Sequence, residues 1–150
     1  MLNSPLQDSF LEFCTKNKFE INDKQLEIID LLEIFIYPKN KIFNFFLKSK
    51  LNLCFYLYGN VGVGKTMLLN FVYNKFEKKK LRLHFNKFMI NFYDFKHKNK
   101  SGNPITNFVN KLKKNYELIY LDEFQVTNIA DAMILGKLFE IIFLEKIKII

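Results

Sequence analysis

Three glycines, a lysine and a threonine lie within eight positions at 59–66, in the stretch GNVGVGKT. They match the pattern G-x-x-x-x-G-K-[ST] of a phosphate-binding loop, also called Walker A. Glycines let consecutive backbone N–H groups turn inward around phosphate oxygens, where a Cβ atom would obstruct them. The lysine ammonium can reach the β- and γ-phosphates, and the threonine hydroxyl can bind Mg²⁺. The stretch therefore predicts a site for a nucleoside triphosphate.

The residues predicted to bind ATP are continuous and end one position after the threonine: Gly59, Asn60, Val61, Gly62, Val63, Gly64, Lys65, Thr66 and Met67. Lys65 is also a predicted catalytic residue, and Thr66 is a predicted Mg²⁺ ligand. Because helical spacing resumes at Met67, the loop would stand at a helix N-terminus, which favours an anion. A glycine-rich turn without a ligand is the alternative, and the flanking strand and helix patterns disfavour it.

Two carboxylates follow the apolar run LIYL, in the stretch LIYLDE at 118–123. In open α/β sheets ligands gather at the carboxyl ends of strands, so this position suits a Walker B motif. Asp122 would hold Mg²⁺ through a water molecule. Glu123 would orient and polarise the attacking water, which makes it the second predicted catalytic residue. ATP and Mg²⁺ are therefore the predicted cofactors.

Strand patterns alternate with helix patterns along the chain. Strands are predicted at 51–58, from 82, and at 116–123, and helices at about 23–36, 67–76, 104–114 and 129–144. This alternation indicates an α/β fold of the P-loop NTPase type, with a parallel sheet flanked by helices. We expect an N-terminal helical segment at 1–50 and the core at 51–150. The final residues, KIKII, are typical of a strand, so the core is expected to be truncated at its C-terminus.

Composition places few limits on the partner. The formal net charge of +8 would suit nucleic acid, but the basic residues are nearly all lysine in a chain crowded with Phe, Ile, Asn and Tyr. That mix is typical of A/T-rich coding bias, so a solvated surface is the preferred interpretation. Cys14 and Cys54 are too few and too far apart for a disulfide framework or a zinc site. No apolar run reaches the length of a membrane span, and no signal sequence stands at the start. A cytoplasmic location is therefore predicted.

The motifs YLYGNVGVGKTMLLNFVY, RLHFNKFM and LDEFQVTNIADAMILGKLFE resemble those of the ZapE-type ATPases of bacteria and their mitochondrial AFG-type relatives. This family belongs to the AAA+ branch of P-loop proteins. The resemblance implies an ATPase that acts on a protein partner, with a homo-oligomer in the full-length protein. Bacterial members act in cell division near the tubulin-like ring protein, which implies peripheral association with the division site. Mitochondrial members are linked to membrane-protein quality control, and the lack of a presequence favours the bacterial interpretation.

The chain departs from the family pattern at several positions. Asn60 stands where many members have glycine, and Asn128 replaces an aspartate while keeping a helix cap. Asn86 occupies a place often held by histidine, so its role stays open. The family's sensor strand, arginine finger and lid would follow Ile150, and Arg82 lies on a predicted interior strand. The chain is thus expected to be a fragment with little or no ATP turnover by itself.

Other functions remain as alternatives. A nucleic-acid-directed AAA+ ATPase, such as a helicase loader or replication initiator, would account for the charge. A non-catalytic nucleotide switch would not need the water-polarising Glu123. Gln25 either contacts the nucleotide base or caps its own helix, because the stretch NDKQ has the pattern of a capping box.

Overall fold

The structure is a computed structural model that describes residues 4–38, 52–99 and 101–150. The chain divides into two compact units, Met1–Phe76 and Glu77–Ile150. The predicted boundary between an N-terminal segment at 1–50 and a core at 51–150 lies outside the described residues, and that division stays a prediction.

The described part of the first unit contains the helices α1 (Pro5–Asn17), α2 (Asp23–Ile36) and α3 (Lys65–Lys75). The cap that the stretch NDKQ predicts for α2 is confirmed, and Ser4 caps α1 in a similar way. Ser4 Oγ accepts from the backbone N–H of Gln7 at 3.3 Å, and Asn22 Oδ1 accepts from that of Lys24 at 2.9 Å. At α1 the side chain that would complete a capping box contacts the neighbouring helix, because Gln7 Nε2 donates to Asp30 Oδ2 on α2, at 3.4 Å. In a complete capping box the carboxamide oxygen of Gln7 would instead accept from the backbone N–H of Ser4.

Two acidic side chains of α2 connect it to the N-terminus of α1. Glu33 is buried, and its Oε2 accepts from the backbone N–H of Leu6 at 3.1 Å. Ser4 Oγ donates to Asp30 Oδ1 at 2.9 Å. The first N–H groups of a helix have no partner within the helix, and a carboxylate there also benefits from the helix dipole. These contacts therefore attach α1 to α2 by charge as well as by apolar packing.

We expect Glu33→Ala to destabilise the protein by about 1–3 kcal/mol, because it leaves a buried N–H of α1 without its charged acceptor. The midpoint of urea unfolding would measure the loss. Glu27→Ala is the matched control, since Glu27 lies exposed on the same helix. Equal midpoints for the two variants would contradict this role of Glu33.

The predicted strand at 51–58 is wrong for the residues that the structure describes. Over 52–58 the chain has no strand, apart from a single bridge residue at Cys54. Leu53, Phe55 and Leu57 are half-buried, whereas Tyr56 and Tyr58 are 65% and 80% exposed. The ring of Phe55 lies 5.8 Å from that of Phe35 on α2. An apolar run in the sequence suggested burial on both faces, but only one face of this segment is covered.

The second unit alternates strands and helices, as predicted: β1 (Lys80–His84), α4 (Phe85–Lys98), α5 (Pro104–Asn115), β2 (Leu118–Asp122), α6 (Ile129–Leu144) and β3 (Lys148–Ile149). The strands form a parallel sheet in the order β1-β2-β3, with Leu81 opposite Ile119 and Leu118 opposite Lys148. The first four residues of the central strand β2 are all buried. Parallel neighbours need crossover helices, which α4, α5 and α6 provide.

The helices of the second unit are held by aromatic packing and by a cap at α6. Phe92 and Phe108 meet edge to face, with their ring centroids 5.4 Å apart. The predicted cap of α6 is confirmed: Asn128 Oδ1 accepts from the backbone N–H of Asp131 and Asn128 Nδ2 donates to its Oδ2, both at 2.7 Å. Tyr93 of α4 donates its hydroxyl to the same carboxylate, which raises the pKa of Tyr93. These hydrogen bonds therefore fix the first turn of α6, where the chain enters the helix after β2.

Both cysteines are free thiols, with Cys14 buried and Cys54 exposed. In the described ranges, every helix is too short or too polar to cross a membrane.

Candidate functional site

The glycines of the loop are required by its backbone. Gly59, Gly62 and Gly64 have φ angles of 148°, 86° and 83°, a region that residues with a Cβ atom rarely adopt. A Cβ at Gly62 would meet nothing within 4 Å, so the constraint there is conformational and not steric. Gly64 is the N-cap of α3, which begins at Lys65. The loop therefore stands at a helix N-terminus, as the sequence predicted.

The Lys65 ammonium lies back across the loop. Its Nζ donates to the carbonyl of Gly59 at 2.8 Å and also to that of Asn60. The loop itself is open to solvent, with Val61 fully exposed, and Thr66 is exposed in the first turn of α3. Backbone N–H groups, an ammonium, a hydroxyl and a helix N-terminus are the donor set that suits a triphosphate with its Mg²⁺. These residues fit the predicted ligand.

Gln25, whose role the sequence left open, contacts the loop. Its Nε2 donates to the carbonyl of Val63 at 3.3 Å. The cap of α2 is formed by Asn22 and does not use this carboxamide. Sequence reasoning could not find the contact, because it joins residues that are 38 positions apart.

The acidic pair lies at the carboxyl end of β2. Asp122 is the last residue of the strand, and its Oδ1 accepts from the backbone N–H of Glu123 at 3.2 Å. Glu123 has a φ of 52°, in the left-handed region, and its side chain is 80% exposed. Non-glycine residues in that region are strained, and such strain concentrates at functional sites. The carboxylate that the sequence assigns to catalysis thus extends into solvent from a strained position.

A cation that the sequence did not assign to the site neutralises Asp122. Arg82 Nη2 of β1 lies 2.6 Å from Asp122 Oδ2, and the Asp122 side chain is only 16% exposed. The Arg82 guanidinium also lies 4.9 Å from the centre of the Tyr120 ring. Burial, followed by the nearby Asp122 carboxylate, raises the pKa of Tyr120 to about 12, although Arg82 opposes the shift. Arg82 is the only arginine in the sequence. The prediction of an interior strand for it is wrong in the part of the chain that the structure describes, because β1 lies at the edge of that sheet, where Arg82 pairs with Asp122.

The side chain of one further residue lies near Glu123. His84 ends β1 with an exposed side chain, and its Nδ1 lies 3.6 Å from Glu123 Oε2. Asn86 is exposed in the first turn of α4. Within the described ranges, no group of three or more His, Cys, Asp or Glu could hold a metal ion.

A glycine loop at a helix N-terminus and an Asp-Glu pair at the end of a parallel strand are the two parts of a P-loop NTPase. The loop belongs to the first unit and the acidic pair to the second. A family model described as AFG1-like ATPase matches residues 35–150. The chain belongs to this family, and the resemblance to ZapE-type and AFG-type AAA+ ATPases is confirmed.

Relatives of both kinds match the chain. It is 42% identical over 102 residues to lactation elevated protein 1 homolog B of Danio rerio, a match that covers 59% of this chain and 20% of the relative. It is 32% identical over 97 residues to the cell division protein ZapE of Escherichia coli K12, covering 63% of this chain and 26% of the relative. The chain therefore spans about a quarter or less of the length of these relatives. No solved structure matches it significantly.

Proposed function

We propose that this protein binds ATP with Mg²⁺ and hydrolyses it to ADP and phosphate. The observation that carries the proposal is the loop at 59–66, whose left-handed glycines precede α3 and whose Lys65 ammonium lies across the loop carbonyls. Membership of an ATPase family supports the same reaction. The ATP-binding residues are those predicted from the sequence: Gly59, Asn60, Val61, Gly62, Val63, Gly64, Lys65, Thr66 and Met67.

Each polar residue has a distinct part in the proposed reaction. Lys65 exchanges its two loop carbonyls for phosphate oxygens and stabilises the charge on the transferred group. Thr66 and Asp122 hold Mg²⁺, with Asp122 acting through water. When bound, Mg²⁺ neutralises phosphate charge. Glu123, whose side chain is 80% exposed, orients the attacking water and accepts its proton.

Arg82 fixes the orientation of Asp122 in this scheme. Because it occupies Oδ2, and Oδ1 already accepts from Glu123 N–H, the carboxylate is held in place from both sides. A carboxylate so fixed suits contact through water better than direct coordination, which agrees with the predicted role of Asp122.

The wider role follows the relatives. The name of the Escherichia coli relative, cell division protein ZapE, supports a role in division, in which the ATPase acts from the cytoplasm on a protein partner of the division ring. The full-length protein would form a homo-oligomer and associate peripherally with the division site. A nucleic-acid partner is not favoured, since only the net charge of +8 supports it.

The 150-residue chain is expected to bind ATP but to turn over little of it. Hydrolysis in P-loop proteins commonly needs an arginine finger, and the single arginine here is paired with Asp122. Titration with a fluorescent ATP analogue would measure binding, and phosphate release under multiple turnover would measure hydrolysis. Binding with slow release agrees with the proposal. Absence of binding would contradict the ATP site, and robust turnover would contradict the need for further residues.

A further inference from the structure

The carboxamide of Gln25 is placed where it can act on the phosphate-binding loop. Gln25 lies in the first turn of α2, and its Nε2 donates to the carbonyl of Val63, 38 residues further along the chain. Capping of α2 does not explain the position of the Gln25 side chain, because Asn22 already caps the helix by accepting from Lys24 N–H at 2.9 Å. The contact is a tertiary one, between a helix and the loop.

The same side chain packs closely on the last glycine of the loop. A Cβ atom at Gly64 would lie only 2.8 Å from Gln25 Nε2, closer than real Cβ atoms approach other heavy atoms. Gly64 also has a φ of 83°, so the backbone calls for glycine there, whereas a shift of the flexible Gln25 side chain could make room for a Cβ atom. The Gln25 carboxamide therefore packs directly against the loop at Gly64.

The two polar atoms of the Gln25 carboxamide differ in their contacts, because Nε2 donates a hydrogen bond whereas Oε1 has no partner among the described residues. Gln25 Oε1 is buried and has no hydrogen-bond partner in the part of the chain that the structure describes. A buried acceptor without a partner is unfavourable, and an apolar side chain of similar size would avoid it. What an apolar side chain would lose is the donor to Val63. The donated hydrogen bond is thus the feature that distinguishes glutamine at this position.

That hydrogen bond sets the direction of the next N–H group. In a trans peptide the carbonyl and the N–H of one unit point to opposite sides. Since the Val63 carbonyl points to Gln25, the N–H of Gly64 points to the other side of the loop. Phosphate-binding loops work by aligning such N–H groups on the anion.

We propose that Gln25 is a positioning residue for the phosphate-binding loop. By holding the Val63–Gly64 peptide it directs the Gly64 N–H toward the triphosphate, and it makes the start of α2 part of the nucleotide site. Its effect is on the phosphates and does not depend on the base. This inference rests on the proposed ATP binding and deepens it.

The test measures the affinity of the 150-residue chain for two probes, a fluorescent ATP analogue and inorganic tripolyphosphate that competes with it. Gln25→Ala is expected to weaken both by about tenfold, which is the typical effect of one lost hydrogen bond. Gln25→Glu keeps the size of the side chain but replaces the donor with a carboxylate, so an equal or larger loss is expected. Gln7→Ala is the matched control, because Gln7 contacts Asp30 and not the loop.

Each result of this test either supports or contradicts the proposed role of Gln25. Wild-type affinity in Gln25→Glu would show that only packing matters and would overturn the inference. A loss for the ATP analogue without a loss for tripolyphosphate would overturn it too, since the side chain would then act on the base. Lys65→Ala separates the two proposals: if it loses binding while Gln25→Ala does not, ATP binding stands and the role of Gln25 falls. Failure of the wild-type chain to bind either probe would remove both.

Discussion

Lys65→Ala is expected to abolish ATP binding, with a loss of affinity of roughly a hundredfold or more, because hydrogen bonds from a charged group to phosphate are among the strongest in proteins. In the structure the ammonium also donates to the carbonyls of Gly59 and Asn60. Removing it would take away both the cation for the phosphates and a clamp on the loop. Titration with a fluorescent ATP analogue measures the loss.

Lys75→Ala provides the control for this variant. Lys75 is exposed in the last turn of the same helix α3, so the substitution changes the charge equally and leaves the loop untouched. We expect affinity close to that of the wild type. If Lys65→Ala also bound the analogue as the wild type does, the assignment of the loop as the triphosphate site would be wrong.

Glu123→Gln is expected to keep ATP binding and to reduce hydrolysis by about a hundredfold or more, the scale of general acid-base catalysis. The substitution preserves the size of the side chain and removes the carboxylate that would polarise the water. Its 80% exposure means that the change should cost little stability. Single-turnover hydrolysis, with protein in excess over radiolabelled ATP, can resolve slow rates.

Glu117→Gln is the matched control, since Glu117 immediately precedes β2, at the opposite end of the strand, where it pairs with Lys78 at 3.1 Å. We expect hydrolysis at the wild-type rate. Wild-type hydrolysis in Glu123→Gln, at equal ATP binding, would remove Glu123 from the catalytic role.

Local patterns in the sequence predicted the loop and the helix caps correctly. The left-handed glycines and the cap of Asn128 on Asp131 depend on residues within a few positions of each other, so their spacing carries the information. The strands β1 and β2 were also predicted, because apolar runs between two helix patterns indicate buried parallel strands. The parallel sheet follows from the same alternation.

Contacts between distant residues could not be predicted in this way. The Arg82–Asp122 pair depends on the register of two parallel strands, with Arg82 opposite Tyr120, and no spacing in the sequence sets that register. The Gln25–Val63 contact depends on where α2 packs. The strand predicted at 51–58 was wrong over the described residues 52–58 for a related reason, since the apolar composition of this run did not indicate how many of its faces are covered.

The central claim is that the loop at 59–66 and the carboxylates of Asp122 and Glu123 serve one nucleotide. A crystal structure of the chain with Mg²⁺ and a non-hydrolysable ATP analogue tests it most directly, through the distances from the γ-phosphate to Lys65 Nζ and to the two carboxylates. The account predicts that Lys65 contacts the β- and γ-phosphates, with Asp122 one water molecule from Mg²⁺ and Glu123 facing the γ-phosphate. A triphosphate bound away from the loop, or carboxylates directed away from the γ-phosphate, would contradict it.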